Sequence, residues 1–277
     1  MLKRILIITT LFIIVCSSGS IFAYTHVHPV PSIPQTINIY NAADIYTINL
    51  IAQVHNTLFV MDNNTPKPQL VKSFSVSQDQ KEYRFVLSAS FFHNGKPLTN
   101  IDVKYSLEQL IVNKAVSYEK LSVVKGYEDF INHKTSSLAG VVLGTPDNEV
   151  VLQLVRPTPN LLSYLTDFRF SIIEKGASQN IGLGDYKIVS MKPSEITLEL
   201  VDKSNNKAPQ FVVFEYATTE DALKGFIGHK YNDLFAYSIT EDMVGAFAAT
   251  ANMQKVFTPR TYFFAVNSNN IPDKQER

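Results

Sequence analysis

The sequence has no tryptophan and a single cysteine, Cys16, and that cysteine lies in the first twenty residues. Once the leader described below is lost, no internal disulfide can form, so burial of apolar surface has to hold the exported protein together. Neither sign of charge is in excess: 25 Lys and Arg face 25 Asp and Glu. This balance argues against nucleic acid or an anionic membrane surface as the main partner. After Cys16 no apolar run approaches the roughly twenty residues that a membrane-spanning helix needs. There is no internal repeat, and the one biased stretch is a brief proline-rich segment at Pro29, Pro31 and Pro34. Signatures of chemistry are missing too. The sequence contains no Gly-x-Ser-x-Gly elbow, no His-Glu-x-x-His, no cysteine pair and no phosphate-loop lysine motif, while Gly182-Leu183-Gly184 lacks the third glycine of a nucleotide loop. The expectation is a protein that is not an enzyme, with no catalytic residues, no cofactor and no metal.

What is present begins with a leader. Lys3-Arg4, an apolar run from Ile5 to Cys16, and Ser17 through Ala23 follow the positive, apolar and small-residue order of a secretory signal, with cleavage expected after Ala23. Val15 before Cys16 disfavours lipidation, since the residue before a lipidated cysteine is normally small. A periplasmic, soluble mature chain of roughly 250 residues is expected, long enough for one or two cores. Loss of Lys3 and Arg4 leaves it about two charges negative. Residues 24–34 read as an extended tether. His26 and His28 on it could share a metal if the segment were extended, but a pair on a mobile tether is ordinarily solvated.

The most informative stretch is 72–111. Tyr83, Phe85 and Leu87 alternate with Arg84 and Val86 as in a half-buried strand, and Asn94-Gly95 supplies the backbone angles of a tight turn. Thr99 and Asp102 have capping-box spacing, and Val103, Leu107, Leu110 and Ile111 share one face, predicting a helix from Asn100 to Ile111. His93 beside the turn is read as a turn stabiliser rather than a base.

Elsewhere the pattern predicts a strand at 36–40, a helix at 48–58, a turn at Asp62-Asn63-Asn64 and hairpins over 140–155 and 186–201. A short helix follows Asn160, a strand spans 211–216, and a helix capped by Thr218 and Asp221 ends at Gly228. Strands at 234–237 and 262–266 complete the set. The fold class is mixed α/β with antiparallel hairpins.

Phe92-His93-Asn94-Gly95, Pro97, Thr99, Asp102-Val103 and Tyr105-Ser106-Leu107-Glu108 resemble the signature region of the extracellular solute-binding proteins of family 5, the peptide and nickel receptors of ABC importers. The likeness continues in order through Pro157 and Pro159, Gly182-Leu183-Gly184-Asp185-Tyr186 and Tyr262-Phe263-Phe264-Ala265-Val266-Asn267. Phe74 and Ser88 depart from the family's tryptophan and basic residue, and Ile271 to Arg277 matches the segment that opens the second lobe. The resemblance implies a periplasmic-binding-protein-like lobe, with 35–55 and 175–277 as the main solute-binding part, 56–174 as an inserted side domain, and the second lobe missing. It places the loop at Asp44, Ile45 and Tyr46, the strand end at Tyr237, and Tyr262 and Phe264 at the cleft, where tyrosine suits a ligand of variable side chains. For any single one of these aromatics, a place in the core is an equal reading. The implied partners are a peptide or similar small solute, an ABC permease in the inner membrane and, through the exposed cleft face, another copy of the chain. The alternative function is an exported interaction protein that no longer serves transport.

Overall fold

The computed structural model describes residues 24–234. In chain order these form β1 (Thr25–Val30), α1 (Ile45–Val54), β2 (Phe59–Asp62), β3 (Thr65–Pro68), β4 (Val71–Val76), β5 (Glu82–Leu87), α2 (Asn100–Val112), α3 (Tyr127–Ile131), β6 (Val141–Leu143), β7 (Glu149–Gln153), α4 (Leu161–Tyr164), β8 (Tyr186–Lys192), β9 (Glu195–Leu200), β10 (Phe211–Tyr216) and α5 (Thr219–Ile227). Two four-stranded sheets, ordered β1-β10-β9-β8 and β4-β5-β7-β6, are accompanied by the β2-β3 hairpin.

In the second sheet, Tyr83, Phe85 and Leu87 of β5 are buried, while Arg84 faces out and pairs with Glu149 of β7 at 2.5 Å. The alternation therefore sorts apolar from charged groups, as the pleat requires. Helix α2 packs on β6 and β7 through the face carrying Val103, Leu107, Leu110 and Ile111. Its first residue, Asn100, is buried and donates to the carbonyls of Gly144 (3.0 Å) and Glu149 (2.8 Å), which fixes the helix start against the β6-β7 hairpin. Asn63 and Asn64, both at positive φ (45° and 64°), close β2-β3 in the left-handed region that asparagine tolerates.

The capping box expected at the start of α2 forms, with Asp102 as its busiest acceptor. The carboxylate of Asp102 accepts the Thr99 N–H at 3.0 Å and the Thr99 hydroxyl at 2.8 Å through one oxygen, and the Lys175 N–H at 3.0 Å through the other. Asp102 is thus the common acceptor. Thr99→Ala is expected to cost about 1 kcal/mol, whereas Asp102→Ala, which strands two backbone donors, is expected to cost about 2 kcal/mol. Urea titrations of the two variants check the order; a larger loss for Thr99→Ala would overturn this account of the cap.

Three expectations are corrected. Residues 24–34 are not a tether throughout, because Thr25–Val30 is a strand lying parallel to β10 in the register Thr25↔Phe211 to Val30↔Tyr216. The segment 36–40 is not a strand. Asn38 turns it, accepting the Tyr40 N–H on its side-chain oxygen and the Ala42 N–H on its carbonyl, while Ile39 donates to the Gln179 side chain. Ile37, Ile39 and Tyr40 are buried all the same, so their spacing reflects packing of an irregular segment. Helix α1 also begins and ends earlier than the apolar periodicity suggests, at Ile45 and Val54. The expected strand at 262–266 lies outside the described residues, as does 234–237 apart from Leu234, which is not in a strand.

Candidate ligand-binding site

Asp44 caps α1, its Oδ1 accepting the Thr47 N–H at 2.7 Å and its carbonyl accepting the Ile48 N–H at 3.1 Å. Thr47, Leu50, Ile51 and Val54 turn inward from that start. The carboxylate of Asp44 is thereby committed to the helix, Ile45 is 57% exposed, and Tyr46 is half-buried with its ring against the core. The loop ahead of the cap is braced by Arg169, which stacks on Phe168 at 4.3 Å, pairs with Asp167 at 3.3 Å and reaches the Ala42 carbonyl at 3.4 Å. Sequence reading did not single out Arg169. Tyr237, Tyr262 and Phe264 lie outside the described residues, so of the six expected ligand-binding residues the structure places the consecutive Asp44, Ile45 and Tyr46.

The other end of α1 meets the two motifs that the sequence offered separately. His93 Nε2 donates to the Gly184 carbonyl at 2.9 Å, its Nδ1 accepts the Gly182 N–H at 3.3 Å, and its own N–H bonds the Gly182 carbonyl at 3.0 Å. This pattern uses a neutral imidazole, and burial lowers the pKa of His93 in the same direction. The Gly184 N–H in turn donates to the Val54 carbonyl at 2.8 Å, and Asn56 donates to the Leu183 carbonyl at 2.9 Å. Next to the turn, the buried carboxylate of Glu174 takes Asn94 at 2.6 Å and Lys96 at 2.5 Å. The turn is thus anchored on both sides. A cleft of about 470 Å³ opens at this joint, lined in part by Phe92, His93, Asp185, Lys187 and Asp202. Asp44, Ile45 and Tyr46 do not line it.

His55, also missed in the sequence, leaves the end of α1 and donates from Nε2 to the Gln179 carbonyl at 2.7 Å. It is buried, and desolvation lowers its pKa from 6.5 to about 4 against the opposing hydrogen bond. The available signal was its place directly after the last inward residue of an apolar helix.

A family model described as bacterial extracellular solute-binding proteins, family 5, matches residues 65–275. The chain belongs to that family. Among curated proteins, this family 5 chain is 26% identical over 205 residues to the uncharacterized protein YhjP of Bacillus subtilis, covering 70% of this chain and 32% of that one. It is 33% identical over 98 residues to a putative ABC transporter peptide-binding protein of Brucella ovis, covering 35% of this chain and 16% of that one. Among solved structures, the fold superposes on the murein tripeptide binding protein MppA of Escherichia coli with a TM-score of 0.70 at 18% identity, covering 83% of this chain and 48% of that one. It matches Listeria monocytogenes OppA bound to peptide with a TM-score of 0.70 at 15% identity, covering 83% and 49%. The chain thus spans about half the length of these structures and about a third of YhjP or less of the Brucella protein. The mixed α/β fold is that of the periplasmic-binding-protein-like structures. Among the described residues no helix is long and apolar enough to cross a membrane.

Proposed function

We propose that this family 5 protein is the solute-binding component of an ABC importer for peptides, working in the periplasm after removal of residues 1–23 and delivering its ligand to a permease in the inner membrane. The observation that carries this reading is the joint in which Phe92-His93-Asn94-Gly95 bonds to Gly182-Leu183-Gly184, two family motifs far apart in sequence that meet at the C-terminal end of α1. The named peptide-binding relatives support the ligand class. In the proposed division, residues 35–55 and 175–277 form the solute-binding part, to which β1 is now added, and 56–174 form a side domain containing the β4-β5-β7-β6 sheet. Ile45 and Tyr46 offer the ligand an apolar surface and a hydroxyl, while Asp44 fixes the helix that presents them. By the family resemblance Tyr237, Tyr262 and Phe264 are further candidates for contact with the ligand.

A receptor of this kind grips its solute from two sides and closes by a hinge motion. Tested by themselves, these 277 residues correspond to about half of a peptide-binding relative and supply contacts from one side. Each 1.4 kcal/mol of lost contact energy weakens binding tenfold, so short peptides are expected to bind only in the range of about 0.1 to several mM. Calorimetry against a peptide library, alongside sedimentation to record self-association, checks this. Submicromolar binding by a monomer would overturn the two-sided account, and Tyr46→Ala leaving a measurable affinity unchanged would remove α1 from the site.

A further inference from the structure

The histidine pair near the chain start, placed on a strand instead of a tether, converges with a carboxylate from the far end of the described chain. His26 and His28 stand two apart on β1 and therefore point to the same face. Opposite them in register are Val212 and Phe214 of β10, and the His28 ring lies 5.1 Å from that of Phe214. Between the two histidines, the Val27 N–H donates to the Asn232 side chain at 2.7 Å, and the Asn232 N–H returns a bond to the Val27 carbonyl at 3.1 Å. That double bond fixes the next residue, Asp233, whose Oδ2 lies 2.8 Å from His26 Nε2 and 2.6 Å from His28 Nδ1. One ligand atom from each of the three residues lies within 4.8 Å of the others.

We propose that His26, His28 and Asp233 form a binding site for a divalent transition metal of the Zn²⁺ type. Two imidazoles and one carboxylate are ligands that such ions favour, and hard oxygen-seeking cations such as Mg²⁺ are poorly served by them. Ligand atoms around a tetrahedral ion at about 2.0–2.1 Å stand roughly 3.3 Å apart. Accepting the ion thus requires the carboxylate to withdraw by about half an ångström, a side-chain adjustment that leaves the Val27–Asn232 bonds in place. The side chains of His26 and Asp233 are each 29% exposed and that of His28 is 16% exposed, so an ion can reach the cluster from solvent. The bound ion would crosslink β1 to the segment after α5.

The test uses the full chain in its exported form, freed of metal with a chelator and titrated at pH 7.5 with Zn²⁺ alone. The expected result is one ion per chain with a Kd below about 10 µM, a rise in melting temperature that follows Zn²⁺ concentration, and no such rise with Mg²⁺. His26→Gln with His28→Gln is expected to weaken binding at least about 100-fold, and Asp233→Asn about 10-fold, while His133→Gln with His229→Gln leaves it unchanged. Co²⁺ provides a reading on the unaltered protein: a four-coordinate site gives intense visible d–d bands that Zn²⁺ displaces. Binding that persists in the His26 and His28 double variant would overturn the proposal. So would the absence of both stoichiometric Zn²⁺ and the Co²⁺ bands in the unaltered chain.

Discussion

Gly182→Ala is expected to destabilise the protein by about 3 kcal/mol or more, lowering the melting temperature by roughly 10 °C. The cause is space. A Cβ at Gly182 would lie 1.9 Å from the Val54 carbonyl oxygen and 2.9 Å from His55 Nδ1. The atom in the way is backbone at the end of α1, which cannot swing aside as a side chain can. The neighbouring Gly184 is held as tightly, its Cβ position lying 2.2 Å from the Gln53 carbonyl oxygen. Gly176 supplies the contrast, because a Cβ there meets nothing within 4 Å and its φ of +82° is the whole cost of substitution. Gly176→Ala should therefore lose about 1–2 kcal/mol, by left-handed strain alone. Thermal and urea unfolding of both variants reads the difference. Equal losses would mean that the joint between α1 and the glycine turn yields easily and does not position the helix.

Acid between pH 6.5 and 4.5 is expected to remove most of about 3 kcal/mol of stability, and His55 is the principal cause. Unfolded, this imidazole takes its proton near pH 6.5; folded, burial holds its pKa at about 4. Between those values the unfolded chain binds more protons than the folded one, so stability falls as the pH falls. Above 6.5 the term is constant. His93, whose pKa burial also lowers, adds in the same direction. The depressed carboxylates Asp79, Glu199 and Asp202 lose their contributions from their ordinary values downward, at and below the lower edge of this window. A proton on His55 Nδ1 has nowhere to go, since that atom has no hydrogen-bond partner among the described residues. Urea midpoints measured at half-unit steps of pH give the slope, and His55→Asn should flatten it while lowering stability at neutral pH. A slope unchanged in that variant would assign the acid sensitivity elsewhere.

Local signals in the sequence marked what neighbouring residues decide. β5, β9 and β10 alternate, Asn63-Asn64 and Asn94-Gly95 turn, and Thr99 and Thr218 precede helices, so each was visible within a window of a few residues. β1 was hidden because its partner is remote. His26, His28 and Pro29 are poor strand formers, and Pro29 has no N–H to donate, which an end position in the sheet order tolerates. The strand expected at 36–40 failed for a local reason: Ile37 and Ile39 alternate, yet Asn38 turns the segment by accepting the Tyr40 and Ala42 N–H groups. At the candidate site the sequence distinguished His93 and the glycine turn but not their contact. The contacts of Arg169 with Ala42, of His55 with Gln179 and of Asp233 with His26 each span more than a hundred residues, for which no periodicity exists.

The pairing of β1 also sets an order of events in time. Val27 waits for Asn232, 205 positions downstream, and at a synthesis rate of about 5–20 residues per second that is about 10–40 s. Meanwhile β4, β5, β6 and β7, which find all their partners between residues 71 and 153, can assemble. Among the described residues β1 therefore stays unpaired until Phe211–Tyr216 has been made, whereas the β4-β5-β7-β6 sheet needs nothing beyond Gln153.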